Sequence, residues 1–184
     1  MSASGPSIQP SELAGTATPE LKQTVINTLW YWGEGGPRYY SSQIGARIKP
    51  IRYDVALGSE DKKKVDAELE CEIEVGDGMV NGFNTLHGAC SAFLVDVCPS
   101  CCLIPIVRDH VTLTLDIVCH AAASYGTLLK VVAKTTSVGS RVLALRCEIR
   151  DQKTDKLYVS GTHIKVASNV KMPRHSRESD SARL

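Results

Sequence analysis

The stretch Asn81 to Asp96, NGFNTLHGACSAFLVD, sets an Asn, a His-Gly pair and a lone Asp around one apolar run. The His-Gly pair stands where a helix should begin. The Asp falls inside that helix, among Phe93, Leu94, Val95 and Val97, where a charge is costly unless it is paired or used. The first N–H groups of a helix lack an internal acceptor and sit at the positive end of its dipole. A carbonyl oxygen placed before Gly88 would be polarised there and stabilised as charge develops on it. The absence of a side chain at Gly88 permits a close approach. The layout is that of a site that holds a carbonyl at a helix N-terminus and brings a carboxylate to it.

The spacing adds a condition. Asp96 follows Gly88 by about 12 Å along a helix axis at 1.5 Å per residue, whereas a base must stand about 3 Å from the water it activates. One chain's Gly88 and Asp96 do not easily serve one carbonyl together. Two subunits, one giving Gly88 and the other Asp96, resolve this, so at least a dimer is expected. Each residue also has an ordinary reading: an exposed helix Asp, a capping His87, an Asn81-Gly82 turn. The three in this order are more specific than any one.

The elements that must position them follow from periodicity. Residues 1–17 are rich in Ser, Pro, Gly and Thr and are expected to be mobile. Thr18-Pro19-Glu20 starts an N-terminal helix spanning 18–36, with Leu21, Val25, Leu29 and Trp32 at helical spacing and glycines at its end. Strands are predicted over Gln43–Val55 and Val65–Val75, then from Val111, where Val111, Leu113, Leu115 and Ile117 alternate with Thr112, Thr114 and Asp116. Further strands are expected over Thr127–Thr136, Arg141–Arg150 and Leu157–Val166. One very apolar helix followed by strands with short turns suggests an α+β fold, an antiparallel sheet wrapped around that helix. Pro99 is expected to kink or shorten the helix just past Asp96. Residues 168–184 read as a polar tail.

The run N-x-x-x-T-L-H-G, followed by an apolar helix carrying L-V-D, resembles the hot-dog-fold acyl-CoA thioesterases, in particular the small eukaryotic members of the phenylacetyl-CoA and 4-hydroxybenzoyl-CoA thioesterase superfamily. The resemblance covers 43–167, including the strand Val111 to Cys119 and the ending Gly161-Thr162-His163-Ile164-Lys165. It implies a hot-dog domain that hydrolyses acyl-CoA thioesters as a homodimer or homotetramer. No metal and no cofactor is implied, coenzyme A being part of the substrate. Asp96 would be the general base or nucleophile and the Gly88 N–H the carbonyl binder, with His87 and Asn81 positioning the thioester and Thr112 helping Asp96 hold the water. Coenzyme A contacts would fall on Cys119, Ala121, Ala122 and Ser124 and on Val138, Gly139, Ser140 and Arg141, with Arg141 the one cation there. Relatives usually carry a Gly at Ala89 and often one at Asn84; neither departure removes a proposed catalytic group.

The remaining signals bound the reading. The chain has 184 residues, enough for one domain, and its 21 basic and 20 acidic residues give a net charge of +1, no field for nucleic acid. The seven Cys form an odd set in apolar surroundings, without a signal-peptide pattern before them, which suggests a reducing compartment. Cys98-Pro99-Ser100-Cys101 is read as packed thiols rather than a redox or zinc site. The apolar run 88–107 contains Asp96, Pro99 and Pro105 and reads as a buried helix, not a membrane span. His163 and Lys165 share a strand face and are expected in solvent, or else on a coenzyme phosphate. Trp30, Tyr31 and Trp32 are expected to dock the first helix. Ala182-Arg183-Leu184 fits the small-basic-Leu address read by the peroxisomal import receptor, with the cytoplasm as the alternative location. Two other activities stay open: a hot-dog enoyl-CoA hydratase or dehydratase, and a non-catalytic acyl-CoA-binding module.

Overall fold

The computed structural model describes residues 5–35, 39–57, 65–107 and 109–168. The expected tail beyond Ser168, with Ala182-Arg183-Leu184, lies outside the described residues. Helix α1 (Pro19–Trp30) starts as its sequence directs: Thr18 is extended and its hydroxyl accepts the Leu21 N–H at 3.4 Å, and Pro19 opens the first turn. Its Val25, Ile26 and Leu29 are buried. A π-helical turn, Tyr31–Gly35, continues it.

The next segment departs from the sequence expectation. Ser42–Gly45 forms a short helical turn, α2, and strand β1 (Lys49–Leu57) begins only at Lys49. Ile44, Ile48 and Ile51 are spaced by four and three residues, which is helical rather than strand periodicity. Arg47 ties this connection down, donating to the carbonyls of Glu74 at 2.6 Å and Asp77 at 3.1 Å.

Five more strands complete one sheet: β2 (Val65–Glu74), β3 (His110–Cys119), β4 (Leu128–Val138), β5 (Val142–Asp151) and β6 (Leu157–Ala167). Their order is β1-β2-β4-β5-β6-β3, antiparallel throughout. The sheet packs on α3 (Gly88–Leu103), giving the hot-dog arrangement with the extra helix α1. Alternation carries the packing. In β2, Ala67, Leu69, Cys71 and Ile73 are buried toward α3, as are Leu143, Leu145, Cys147 and Ile149 of β5. A helix apolar on nearly every side has to be central, and burying side chains such as Leu94, Val95 and Leu103 contributes about 1.5–3 kcal/mol each. Gly161 on β6 lets α3 come close, since a Cβ there would stand 2.6 Å from Val95 Cγ1 and 2.8 Å from the Asp116 carbonyl.

Pro99 does not shorten α3, which runs on to Leu103. Proline removes the N–H that would bond the Val95 carbonyl. The next residue compensates nearby: the Ser100 hydroxyl donates to the Asp96 carbonyl at 2.7 Å. At the far end of the helix, the buried Tyr53 hydroxyl of β1 donates to the Cys102 carbonyl at 2.7 Å.

The two sheet edges differ. Residues 5–17, which composition marks as mobile, lie against β1, with buried Leu13 and Ala17. Ala14 N–H donates to the Ile51 carbonyl at 3.1 Å and its own carbonyl accepts from Tyr53 N–H at 2.9 Å. That edge is covered. The β3 edge is not covered by any described residue, and it carries exposed Val111, Leu113 and Val118, at 50%, 58% and 56% exposure. No helix among the described residues is long and apolar enough to cross a membrane.

Candidate active site

The candidate residues form two groups, one near each end of β3. The first is the entry to α3. Asn81 organises it: its Oδ1 accepts from Phe83 N–H at 2.9 Å, Thr85 N–H at 3.3 Å and the Thr85 hydroxyl at 3.2 Å. Asn84 holds φ at 56°, in the left-handed region that Asn tolerates, so Asn can stand where relatives often have Gly. Thr85 bridges to Ser124, and Leu86 N–H donates to the Ala123 carbonyl at 2.8 Å. His87 is the N-cap; its Nδ1 accepts from Ala89 N–H at 2.9 Å, which leaves the ring proton on Nε2 in solvent. The Gly88 N–H, first in the helix, has no acceptor among the described residues. A Cβ on Gly88 would meet nothing within 4 Å, so the space before it is open. Beside it lies a cleft of about 220 Å³ lined by Tyr40, Ile44, Val80, His87, Cys90 and Phe93.

The second group surrounds Asp96, two turns further along α3. Thr112 Oγ1 donates to Asp96 Oδ1 at 3.2 Å and stands 2.9 Å from His163 Nε2. Lys165 Nζ reaches Ser100 Oγ at 2.8 Å, Thr112 Oγ1 at 3.3 Å and His163 Nε2 at 3.2 Å. His163 and Lys165 are buried, whereas Asp96 keeps 47% of its side chain exposed and its Oδ2 has no partner among the described residues. His163 Nε2 lies 3.3 Å from Asp96 Oδ1. Burial first, then the Lys165 charge, push the imidazole down to about 4, against the opposite pull of Asp96 and the Val95 backbone. The ring is therefore neutral near pH 7, and its approach to Asp96 is not an ion pair. Burial lowers Lys165 to about 8, with Asp96 the strongest opposing influence.

A bulge makes this cluster. Thr112 pairs with Lys165, but Thr114 pairs with Ile164, so Leu113 is an extra residue in β3. Simple alternation sets Thr112 opposite Leu115 and Ile117, on the polar strand face. The bulge instead puts Thr112 on the α3 side together with them, and leaves Leu113 outside. The expectation of solvated His163 and Lys165 is corrected in the same way: they continue the inward-facing positions Val159 and Gly161 of β6 and end beneath Asp96.

The chain also shows similarity to known proteins. Residues 83–158 match the family described as "Thioesterase superfamily". Among solved structures, zebrafish thioesterase superfamily member 2 is similar at 19% identity and a TM-score of 0.62, covering 79% of this chain and 97% of that one. Mouse thioesterase superfamily member 2 is similar at 21% identity and TM-score 0.57, over 68% and 86% of the two chains. A Streptococcus pneumoniae hypothetical thioesterase determined with coenzyme A is similar at 17% identity and TM-score 0.54, over 65% and 91%. No curated protein matches.

The two stretches expected to touch coenzyme A are far apart in one chain. Cys119, Ala121, Ala122 and Ser124 follow the C-terminal end of β3, beside the Gly88 group. Val138 ends β4 and Gly139, Ser140 and Arg141 form the turn to β5 beside the other end, where the Arg141 carbonyl accepts from Ala167 N–H at 2.9 Å and Ala167 pairs with His110. β3 is about 30 Å long at 3.3 Å per residue. Cys98 and Cys101 are fully buried, and burial pushes the Cys101 thiol well up, so it stays protonated. No metal-holding cluster occurs among the described residues.

Proposed function

We propose that this protein hydrolyses acyl-CoA thioesters to the free acid and coenzyme A, in composite sites made by two copies of the chain. The carrying observation is the division of the site: an open helix N–H with Ser124 at one end of β3, and Asp96 with Thr112 and the Arg141 turn at the other. Antiparallel pairing of two uncovered β3 edges across a two-fold axis sets each end against the opposite end of the partner. Gly88 of one copy then faces Asp96 of the other, and the 119–124 stretch faces the partner's 138–141 turn. The exposed Val111, Leu113 and Val118 on this edge strand would gain a covering surface.

The chemistry follows from the groups. The thioester oxygen accepts the Gly88 N–H, and the adjacent cleft receives the acyl chain. Asp96 Oδ2 takes a proton from water while Thr112 holds Oδ1. The hydroxide adds to the carbonyl carbon, charge on oxygen is stabilised by the helix N-terminus, the C–S bond breaks, and Asp96 returns its proton to the departing sulfur, which leaves as the coenzyme A thiol. The free acid is the other product, so atoms balance with one water consumed. His87 leaves a donor, Nε2–H, at the rim, and Asn81 acts by fixing the loop that carries His87. Arg141 is exposed on its turn and is the phosphate contact in this reading. Hydration of an enoyl-CoA releases no thiol, so the products separate that reading from hydrolysis.

The test is thiol release from a panel of acyl-CoAs by wild type and Asp96→Asn. Turnover that falls at least about a hundredfold in the variant supports the reading. Binding without turnover, or a changed double bond instead of free thiol, refutes it.

A further inference from the structure

The Asp96 cluster contains more polar chemistry than a base and its hydroxyl need. Lys165 has three N–H donors and no acceptor. It has three neighbours that accept: Ser100 Oγ at 2.8 Å, Thr112 Oγ1 at 3.3 Å and His163 Nε2 at 3.2 Å. Each then has its own protons directed. The Ser100 hydroxyl has one, and gives it to the Asp96 carbonyl at 2.7 Å. The Thr112 hydroxyl also has one, with two possible takers, Asp96 Oδ1 at 3.2 Å and His163 Nε2 at 2.9 Å.

The imidazole decides between them. A neutral ring has one acceptor nitrogen with a single lone pair. His163 Nδ1 makes no hydrogen bond of ordinary geometry but lies against the Val95 backbone, whose carbonyl Pro99 leaves without its helical donor. A proton on Nδ1 suits that carbonyl, and Nε2 is then the acceptor. If the Lys165 ammonium fills the Nε2 lone pair, the Thr112 proton has only Asp96 left to serve.

We propose that Lys165 is a positioning residue for the hydrolytic site: its ammonium occupies His163 Nε2 and thereby commits the Thr112 hydroxyl to Asp96 Oδ1, leaving Oδ2 aimed at water. This deepens the hydrolase reading and rests on it. A neutral Lys165 amine has two N–H groups for its three acceptors, so Nε2 is no longer always filled, the Thr112 hydroxyl can turn to His163, and the restraint on Asp96 weakens. The groups facing Lys165 are Asp96 and Cys101 from α3, His110 from β3 and His163 from its own strand. Burial brings the ammonium down to about 8, which sets the switch within reach of neutral pH.

The experiment follows the Asp96 carboxyl carbon and Lys165 Nζ by NMR titration in the ligand-free wild type, beside kcat and KM from pH 5 to 10 for wild type, Lys165→Met and Lys165→Gln. The Asp96 signal is expected to show an inflection coinciding with the Lys165 titration, and that inflection is expected to shrink in Thr112→Val to what the Lys165 charge alone exerts. Lys165→Met is expected to lower kcat at least about tenfold with KM within about threefold, and to lose the alkaline fall of kcat. Lys165→Gln keeps an N–H donor that does not titrate; it is expected to hold kcat nearer wild type and to lose the alkaline fall, and an alkaline fall that persists in it overturns the proposal even if the Met variant does not fold. An Asp96 signal flat through the Lys165 titration, an inflection undiminished in Thr112→Val, or an unchanged kcat in a folded Lys165→Met variant overturns the proposal. Wild-type protein that releases no thiol from any acyl-CoA would instead refute the hydrolase reading, while the titration still decides the coupling.

Discussion

Thr112 on strand β3 donates its hydroxyl proton to Asp96 Oδ1 on helix α3 at 3.2 Å, across the seam where the strand bulges toward the helix. A carboxylate held through one oxygen keeps the other for proton transfer. That division of labour is what the proposed role of Asp96 as base requires.

Removing the hydroxyl should therefore slow the reaction without weakening binding. Thr112→Val keeps the shape and loses the donor, and kcat is expected to fall about ten- to a hundredfold with KM little changed. Thr112→Ser restores the donor and is expected to recover most of the loss. Steady-state kinetics on the best acyl-CoA check both. Equal kcat in Val and wild type would remove Thr112 from the site.

Part of this arrangement is legible in the sequence because it is local. The N-cap His87, the open N–H of Gly88 and the Asn81 turn depend on neighbours within a few residues, and helix-start chemistry predicts them. The alternation of β2 is local too. The Asp96 partners are not. His163 and Lys165 come under Asp96 only because β6 pairs with β3 and Gly161 lets α3 descend between them. A signal was present: Val159, Gly161, His163 and Lys165 share one face, and a glycine between an apolar position and two polar ones marks a close helix approach. The bulge at Leu113 leaves no such mark, and alternation alone put Thr112 on the wrong side. Composition likewise misread residues 5–17, whose Leu13 and Ala17 bury against β1 although their neighbours are small and polar.

The uncovered edge carries a second prediction. The double variant Leu113→Asp/Val118→Asp places like charges on the edge strand where two copies would meet. It is expected to sediment as a monomer, keep its circular dichroism spectrum and lose activity by at least about a hundredfold. A monomer with full activity would dismiss the composite site.

Acid should destabilise the fold before the carboxylates titrate. Burial holds both His110 and His163 down to about 4, with the Lys165 charge next in each case. Between about pH 6.5 and pH 4 the unfolded chain binds protons that the folded chain refuses, so folded-state stability is full above pH 6.5 and is lost as pH falls toward 4. The slope reaches about 1.4 kcal/mol per pH unit for each histidine. Urea midpoints across this range are expected to drop, and His110→Met, which removes one of the two, should flatten the fall. Rising midpoints on acidification would contradict the assignment of neutral, buried rings.

The most direct test of the composite site is complementation between two dead variants. Asp96→Asn removes the base. Gly88→Pro removes the N–H and fills the space before it without breaking the helix: proline is accepted at a first helical position, and His87 already holds the extended backbone, φ −70° and ψ 138°, that precedes proline. Each variant alone should be nearly inactive. Mixed and allowed to exchange subunits, they should regain about a quarter of wild-type thiol release, since half the dimers are mixed and one of their two sites is intact. No recovery, with exchange verified by differently tagged subunits, would place Gly88 and Asp96 of one chain in one site and contradict the account.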